Sequence, residues 1–249
     1  MSKSNFDIVL LNGRPAAGKS EIIDYLKHLP LNERLQRFHI GEFEEMDDFP
    51  ILWERYMDDN IFEKLGQKRY FTDTSYEFQG QRYQGFTFKE DWFWNFLIEK
   101  LNDQYSKKIR DDQNIHDHKT VIIEFSRGAE HGGFRRAYEF LSDEILKKAV
   151  TIYINVSFEE SLRKNRRRFN PNKPDSILEH GLEDKKLEML YKDSDWQNFS
   201  SKDPNCLLVR NHKIPYAVFE NEPEITDKPD ILGAHLEEIC RKLWTAKTL

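Results

Sequence analysis

Five short runs, 6–12, 37–41, 120–125, 150–156 and 215–219, crowd β-branched and aromatic residues together. Near-continuous apolar runs of this length read as strands covered on both faces, since a half-solvated strand would alternate. Between them apolar positions recur at helical spacing. Ile22, Ile23, Leu26 and Leu29 form a stripe that stops before Pro30. Trp53, Met57, Ile61 and Leu65 follow Pro50 at four-residue steps and end at Gly66, a glycine suited to a helix C-terminus. Leu232, Leu236, Ile239 and Leu243 make the last stripe. Strands alternating with helices predict an α/β fold of three layers, a five-stranded, mostly parallel sheet with helices on both faces.

The span 66–118 breaks this rhythm and reads as an insertion between the second and third strands. "RYFTDTSYEFQGQRYQGFTF" alternates bulky and polar residues around "QGQ", which predicts a hairpin. A capping box from Thr87 to Glu90 is expected to open a helix with Trp94, Leu97, Leu101 and Tyr105 on one face. "SKKIRDDQNIHDHK" reads as a polar return linker, with His116 and His118 in solvent. Most aromatics of the insertion are expected to pack rather than bind.

Composition narrows the class. The chain has 249 residues, a net charge of −6 and 33 % charged residues, which suits one water-soluble domain and argues against a nucleic-acid partner. Two cysteines, Cys206 and Cys240, read as small buried hydrophobes in a reducing cytoplasm. No apolar run approaches the roughly 20 residues that span a bilayer, so no membrane role is expected.

The chemistry begins at "IVLLNGRPAAGKSEII". Gly13 to Ser20 fits G-x-x-x-x-G-K-[ST], a pattern that chance supplies in roughly a few per thousand chains of this length. A strand precedes it and an amphipathic helix follows. Glycines let the backbone wrap an anion, and the helix N-terminus adds positive potential. Gly13, Ala16, Ala17, Gly18, Lys19, Ser20 and Glu21 are therefore expected to hold a nucleoside triphosphate, with the Lys19 ammonium on the β- and γ-phosphates and the Ser20 hydroxyl on Mg²⁺.

With this loop the chain resembles the P-loop nucleoside and nucleotide kinases. "AAGKS" is similar to the deoxyribonucleoside kinase loop, and Pro15 to that of nucleoside monophosphate kinases. The resemblance implies a P-loop NTPase fold, ATP and Mg²⁺, and roles for three further stretches. In "VIIEFSRG" Glu124 ends a strand beside the loop as a second metal ligand, with Arg127 as a catalytic cation; the related kinases order these residues Glu-Arg-Ser. In "SFEESLRKNRRRF" Arg163, Arg166 and Arg167 share a helical face and resemble a lid, 157–182, that closes on phosphates, "NPNKPDS" being its mobile loop. In "HIGEFEEMDDFPILWERY" Glu42 is the expected base, with Glu44 and Glu45 as rivals.

These readings predict an ATP-dependent small-molecule kinase acting on a nucleoside, nucleotide or similar acceptor. The alternative is an ATP-hydrolysing switch that docks a partner through the insertion. Kinases of this kind often pair through helices, so a homodimer stays open, although no self-complementary face stands out.

Overall fold

The computed structural model describes residues 4–168 and 182–248. The lid loop read at "NPNKPDS" lies outside the described residues. Six strands form the main sheet: β1 (Ile8–Gly13), β2 (Glu42–Asp47), β5 (Lys119–Phe125), β6 (Ala149–Asn155), β7 (Cys206–Val209) and β8 (His212–Glu220), in the order β2-β5-β1-β6-β8-β7. All neighbours are parallel except β7 and β8. β3 (Thr72–Phe78) and β4 (Gln81–Phe88) make a separate antiparallel hairpin.

The strand alternation explains the continuous apolar runs. On β1, Ile8 and Leu10 enter the core beneath the helices Asp48–Lys64 and Trp92–Asp111, whereas Val9 and Leu11 enter the core beneath Lys19–His28 and Pro229–Thr248. Both faces are covered. Ile8 and Leu10 are fully buried. Truncating either to alanine would cost about 2–5 kcal/mol.

The structure corrects several sequence expectations. The second strand is not 37–41. Arg34–Phe38 forms a π-helical turn that His39 ends in the left-handed region at φ 54°. The strand follows, at Glu42–Asp47, and its acidic character suits a sheet edge. Glu44 there is paired with Lys108 and Lys119. A sixth strand, β7, occupies the other edge, where Cys206 is half-buried and only Cys240 is fully buried. Thr87 belongs to β4, opposite Asp73, and the helix after it starts at Trp92 with no side-chain cap. That helix runs on to Asp111, into the expected linker, and Ile115–His118 forms a further helical turn. His116 is buried and bonds Tyr105 Oη at 2.9 Å.

The helix Asp48–Lys64 carries two apolar stripes, and the inward one is not the one that spacing suggested. Ile51, Leu52 and Tyr56 are buried, whereas Met57, Ile61 and Leu65 are 45 %, 49 % and 69 % exposed. Asp59 decides the rotation. Its carboxylate accepts from the amides of Tyr70 (2.7 Å), Phe71 (3.0 Å) and Thr72 (2.6 Å) and from the Thr72 hydroxyl (2.7 Å). This one fully buried residue ties the helix to the hairpin, so Tyr56 and Phe86 meet, ring centroids 5.0 Å apart.

Candidate functional site

The site lies at the carboxyl ends of β1, β2 and β5, beside the point where the chain switches from one side of β1 to the other, a preferred ligand position in open α/β sheets. After Gly13 the chain turns through Ala16 at φ 55° and Gly18 at φ 120° before the helix opens at Lys19. A Cβ on Gly18 would stand 2.7 Å from Asn221 Nδ2, so both conformation and space demand glycine.

The loop is braced from behind. The Ser161 hydroxyl donates to the Pro15 carbonyl (2.7 Å) and Asn221 Nδ2 to the Ala17 carbonyl (2.7 Å). Arg14 extends away to the carbonyls of Val156 and Tyr191. In a trans peptide the N–H lies opposite the preceding C=O. The amides of Ala16 and Gly18 therefore point away from Ser161 and Asn221. The Lys19 ammonium donates to Ser126 Oγ (2.8 Å), and Ser20 lies beside it on the cavity wall. Glu21 is exposed, with Lys164 Nζ 4.0 Å from it.

Strand register brings the acids together. Glu124 on β5 neighbours Leu11 on β1 and Asp47 on β2. Asp47 caps the next helix by accepting from the Phe49 amide (2.9 Å). Asp48 pairs with the buried Arg127 (2.5 Å), whose guanidinium also donates to the carbonyls of Ser126 (2.7 Å) and Trp94 (3.1 Å). Burial, reinforced by Glu124 and Asp48, pushes the Asp47 carboxyl up to about 8. Burial raises Glu124 as well, against the pull of Lys19. Two neighbouring acids thus share the field of one lysine.

Glu42, the expected base, is misplaced. It starts β2, paired in register with Lys119 and bonded to Arg34 (3.0 Å), five residues and about 16 Å of strand from Asp47. The error follows from the strand itself. Moving the second strand from 37–41 to 42–47 carries the strand-end carboxylate from Glu42 to Asp47.

The loop and the acids open into a cavity of about 360 Å³. Its exposed wall is mainly apolar and includes aromatic rings, with Trp53 and Tyr56 from the Asp48–Lys64 helix, Phe86 from the hairpin, Trp94, and Tyr191. His131 stacks behind Trp94 at 3.6 Å, its imidazole held neutral by burial and by Arg127. Of the insertion's aromatics, Phe86 and Trp94 therefore reach the cavity, while Tyr70 and Trp92 are exposed. Lys186 and Tyr191, from the helix Asp184–Tyr191, complete the wall. Neither carried a sequence signal.

No family model matches the chain, and no curated protein matches it. Among solved structures it is similar to one described as "Crystal structure of APE1195", at 14 % identity and a TM-score of 0.37, covering 95 % of this chain and 98 % of that one. So loose a likeness carries no argument about function.

The lid arginines sit beside the cavity rather than in it. Arg163 donates to Glu160 (2.6 Å) and Glu224 (3.0 Å), Arg167 to Glu224 (2.8 Å), and Arg166 to Asp184 (2.6 Å). The neighbouring Arg168 lines the cavity instead. Glu224 also pairs with the buried Lys164 (2.9 Å), and this ring of cations holds its carboxyl down to about 2 against the effect of burial. Among the described residues no three His, Cys, Asp or Glu side chains gather to hold a metal, and no helix is long and apolar enough to cross a membrane. Mg²⁺ needs no such cage, since it is commonly held by one or two carboxylates with substrate phosphates. The paired acids and the Ser20 hydroxyl fit that donor set.

Proposed function

We propose that this chain is a P-loop kinase that moves the terminal phosphoryl group of MgATP to a hydroxyl or phosphate of a small molecule bound in the aromatic cavity. One observation carries the reading. Pro15, Ala16, Lys19 and Ser20 of the phosphate loop form part of the wall of the same cavity that the aromatic residues enclose, with Asp47, Glu124 and Arg127 at the junction. A nucleotide switch has no use for an acceptor-sized chamber opening on its own phosphate loop.

In this reading the loop amides and Lys19 hold the phosphate tail. Ser20 and Glu124 would hold Mg²⁺, which would supply charge neutralisation at the phosphate oxygens. Asp47, in the place given to Glu42 by sequence, accepts the acceptor's proton as the new P–O bond forms and the bond to ADP breaks. Its raised pKa suits a proton acceptor working near neutrality. Arg127, fixed by Asp48 and two carbonyls, lends positive charge without moving. Arg163 and Arg167 can reach a phosphate only by leaving Glu224, whereas Arg168 already faces the cavity. Little covalent work falls to the protein; positioning and charge do the rest.

The test is ADP release from MgATP across a panel of nucleosides, nucleotides, sugars and hydroxylated aromatics. Release that depends on an acceptor and vanishes in Lys19→Ala supports the proposal. Acceptor-independent hydrolysis alone overturns it.

A further inference from the structure

One cavity group is left over by this mechanism. Lys186 is only 6 % exposed and lines the cavity, yet among the described residues its ammonium has no hydrogen bond and no ion pair. It rests instead between two ring faces, 5.7 Å from the centroids of Tyr56 and Tyr76. Glu183 is the nearest acid, but its Oε2 accepts from the Tyr76 hydroxyl (3.1 Å). An ammonium whose only opening is the cavity, with no protein acceptor there, is costly to hold, and ring faces offset only part of that cost. Burial accordingly lowers its pKa to about 8, against the opposing pull of Glu183.

The position of Lys186 is as informative as its state. The helix Asp184–Tyr191 runs from the hairpin end, where Glu183 meets Tyr76, to the loop end, where Arg14 Nε donates to the Tyr191 carbonyl (3.2 Å). Lys186 stands five residues before Tyr191, about 7.5 Å back along the axis. It therefore lies toward the hairpin end of the cavity, beside Tyr56 and Tyr76, and away from the loop end of its helix.

We propose that the acceptor carries an anionic group, carboxylate or phosphate, which Lys186 binds at the hairpin end of the cavity. This rests on the kinase reading for the word acceptor and on nothing else in it. An anion supplies both what a neutral carbonyl supplies, a hydrogen-bond acceptor, and the countercharge that a carbonyl lacks. The ligand so described is an apolar, flat body with its reacting oxygen at one end and its charge at the other.

Trp53 and Trp94 line the cavity, so tryptophan fluorescence reports binding without any reaction. The probes are matched pairs: hydroxylated aromatic carboxylates against their amides, and nucleoside monophosphates against nucleosides. One member of at least one pair, the anionic one, is expected to bind tenfold or more tightly. Lys186→Met should erase that preference while binding the neutral partner unchanged, and Lys186→Arg should keep much of it. The carboxylate and phosphate pairs tell the two sources of charge apart. Equal affinities within every pair, or a preference that survives in Lys186→Met with an unchanged melting curve, would overturn the proposal. ADP release is scored on the same probes. A charge preference in binding without ADP release overturns the kinase reading and leaves the anion site standing. Equal kcat/KM for charged and neutral partners does the reverse.

Discussion

Lys19 keeps its ammonium 2.8 Å from Ser126 Oγ, a contact that a phosphate oxygen can replace without moving the backbone. Lys19→Ala is therefore expected to abolish acceptor-dependent ADP release at a modest stability cost, about 1 kcal/mol for a lost side-chain hydrogen bond, since it also withdraws the cation facing Asp47 and Glu124. Kinetics and a thermal melt read on the same preparation check both halves. Asp47→Asn separates chemistry from folding more sharply. Asparagine still caps the helix and removes a carboxyl whose ionised form the fold disfavours, so near neutral pH the variant should melt higher while kcat falls roughly 10²–10⁴-fold, the usual worth of a general base. Unchanged kcat would remove Asp47 from the mechanism. At this scale the turn from Gly13 to Ser20 was legible, because its glycine spacing marks a strand-to-helix turn. The sequence was not legible where a fold brings distant residues together. Nothing local marks Lys186 or Tyr191, and Asp47 was hidden by the strand misplacement that promoted Glu42.

At the scale of elements, the informative case is the helix Asp48–Lys64. Its apolar residues outnumber those one face can bury, so periodicity could not choose between Met57-Ile61-Leu65 and Ile51-Leu52-Tyr56. The choice is made by Asp59 and its amide partners on the hairpin strand, thirteen residues away at Thr72. Ile61→Ser should then change stability by less than about 0.5 kcal/mol, and Tyr56→Ala should cost about 3–5 kcal/mol, as large aromatic truncations do. Urea midpoints of the two variants decide; the reverse order would mean that the helix is rotated. β1, β5, β6 and β8, buried on both faces, were all readable from apolar runs. The edge strands β2 and β7 were not, because β2 is acidic and β7, though apolar, is only four residues long.

At the scale of the molecule, Glu224 joins the helix Phe158–Arg168 to the segment after β8 through Arg163, Lys164 and Arg167. A carboxyl held down to about 2 when folded contributes stability that is present above its unfolded pKa and lost as pH falls toward 2. Thermal melts of the wild type should therefore drop between about pH 4.5 and 2 by more than those of Glu224→Gln, which lacks the titrating group. Parallel curves would show that the latch contributes nothing. The bracing behind the phosphate loop reaches further. Ser161, Asn221 and Arg14 belong to three separate stretches of chain, and together they set the cradle's shape before any guest arrives. On the proposed kinase reading, a pocket set in advance around a chain of phosphates needs neither sugar nor base to recognise one, so plain tripolyphosphate should compete with ATP for this protein.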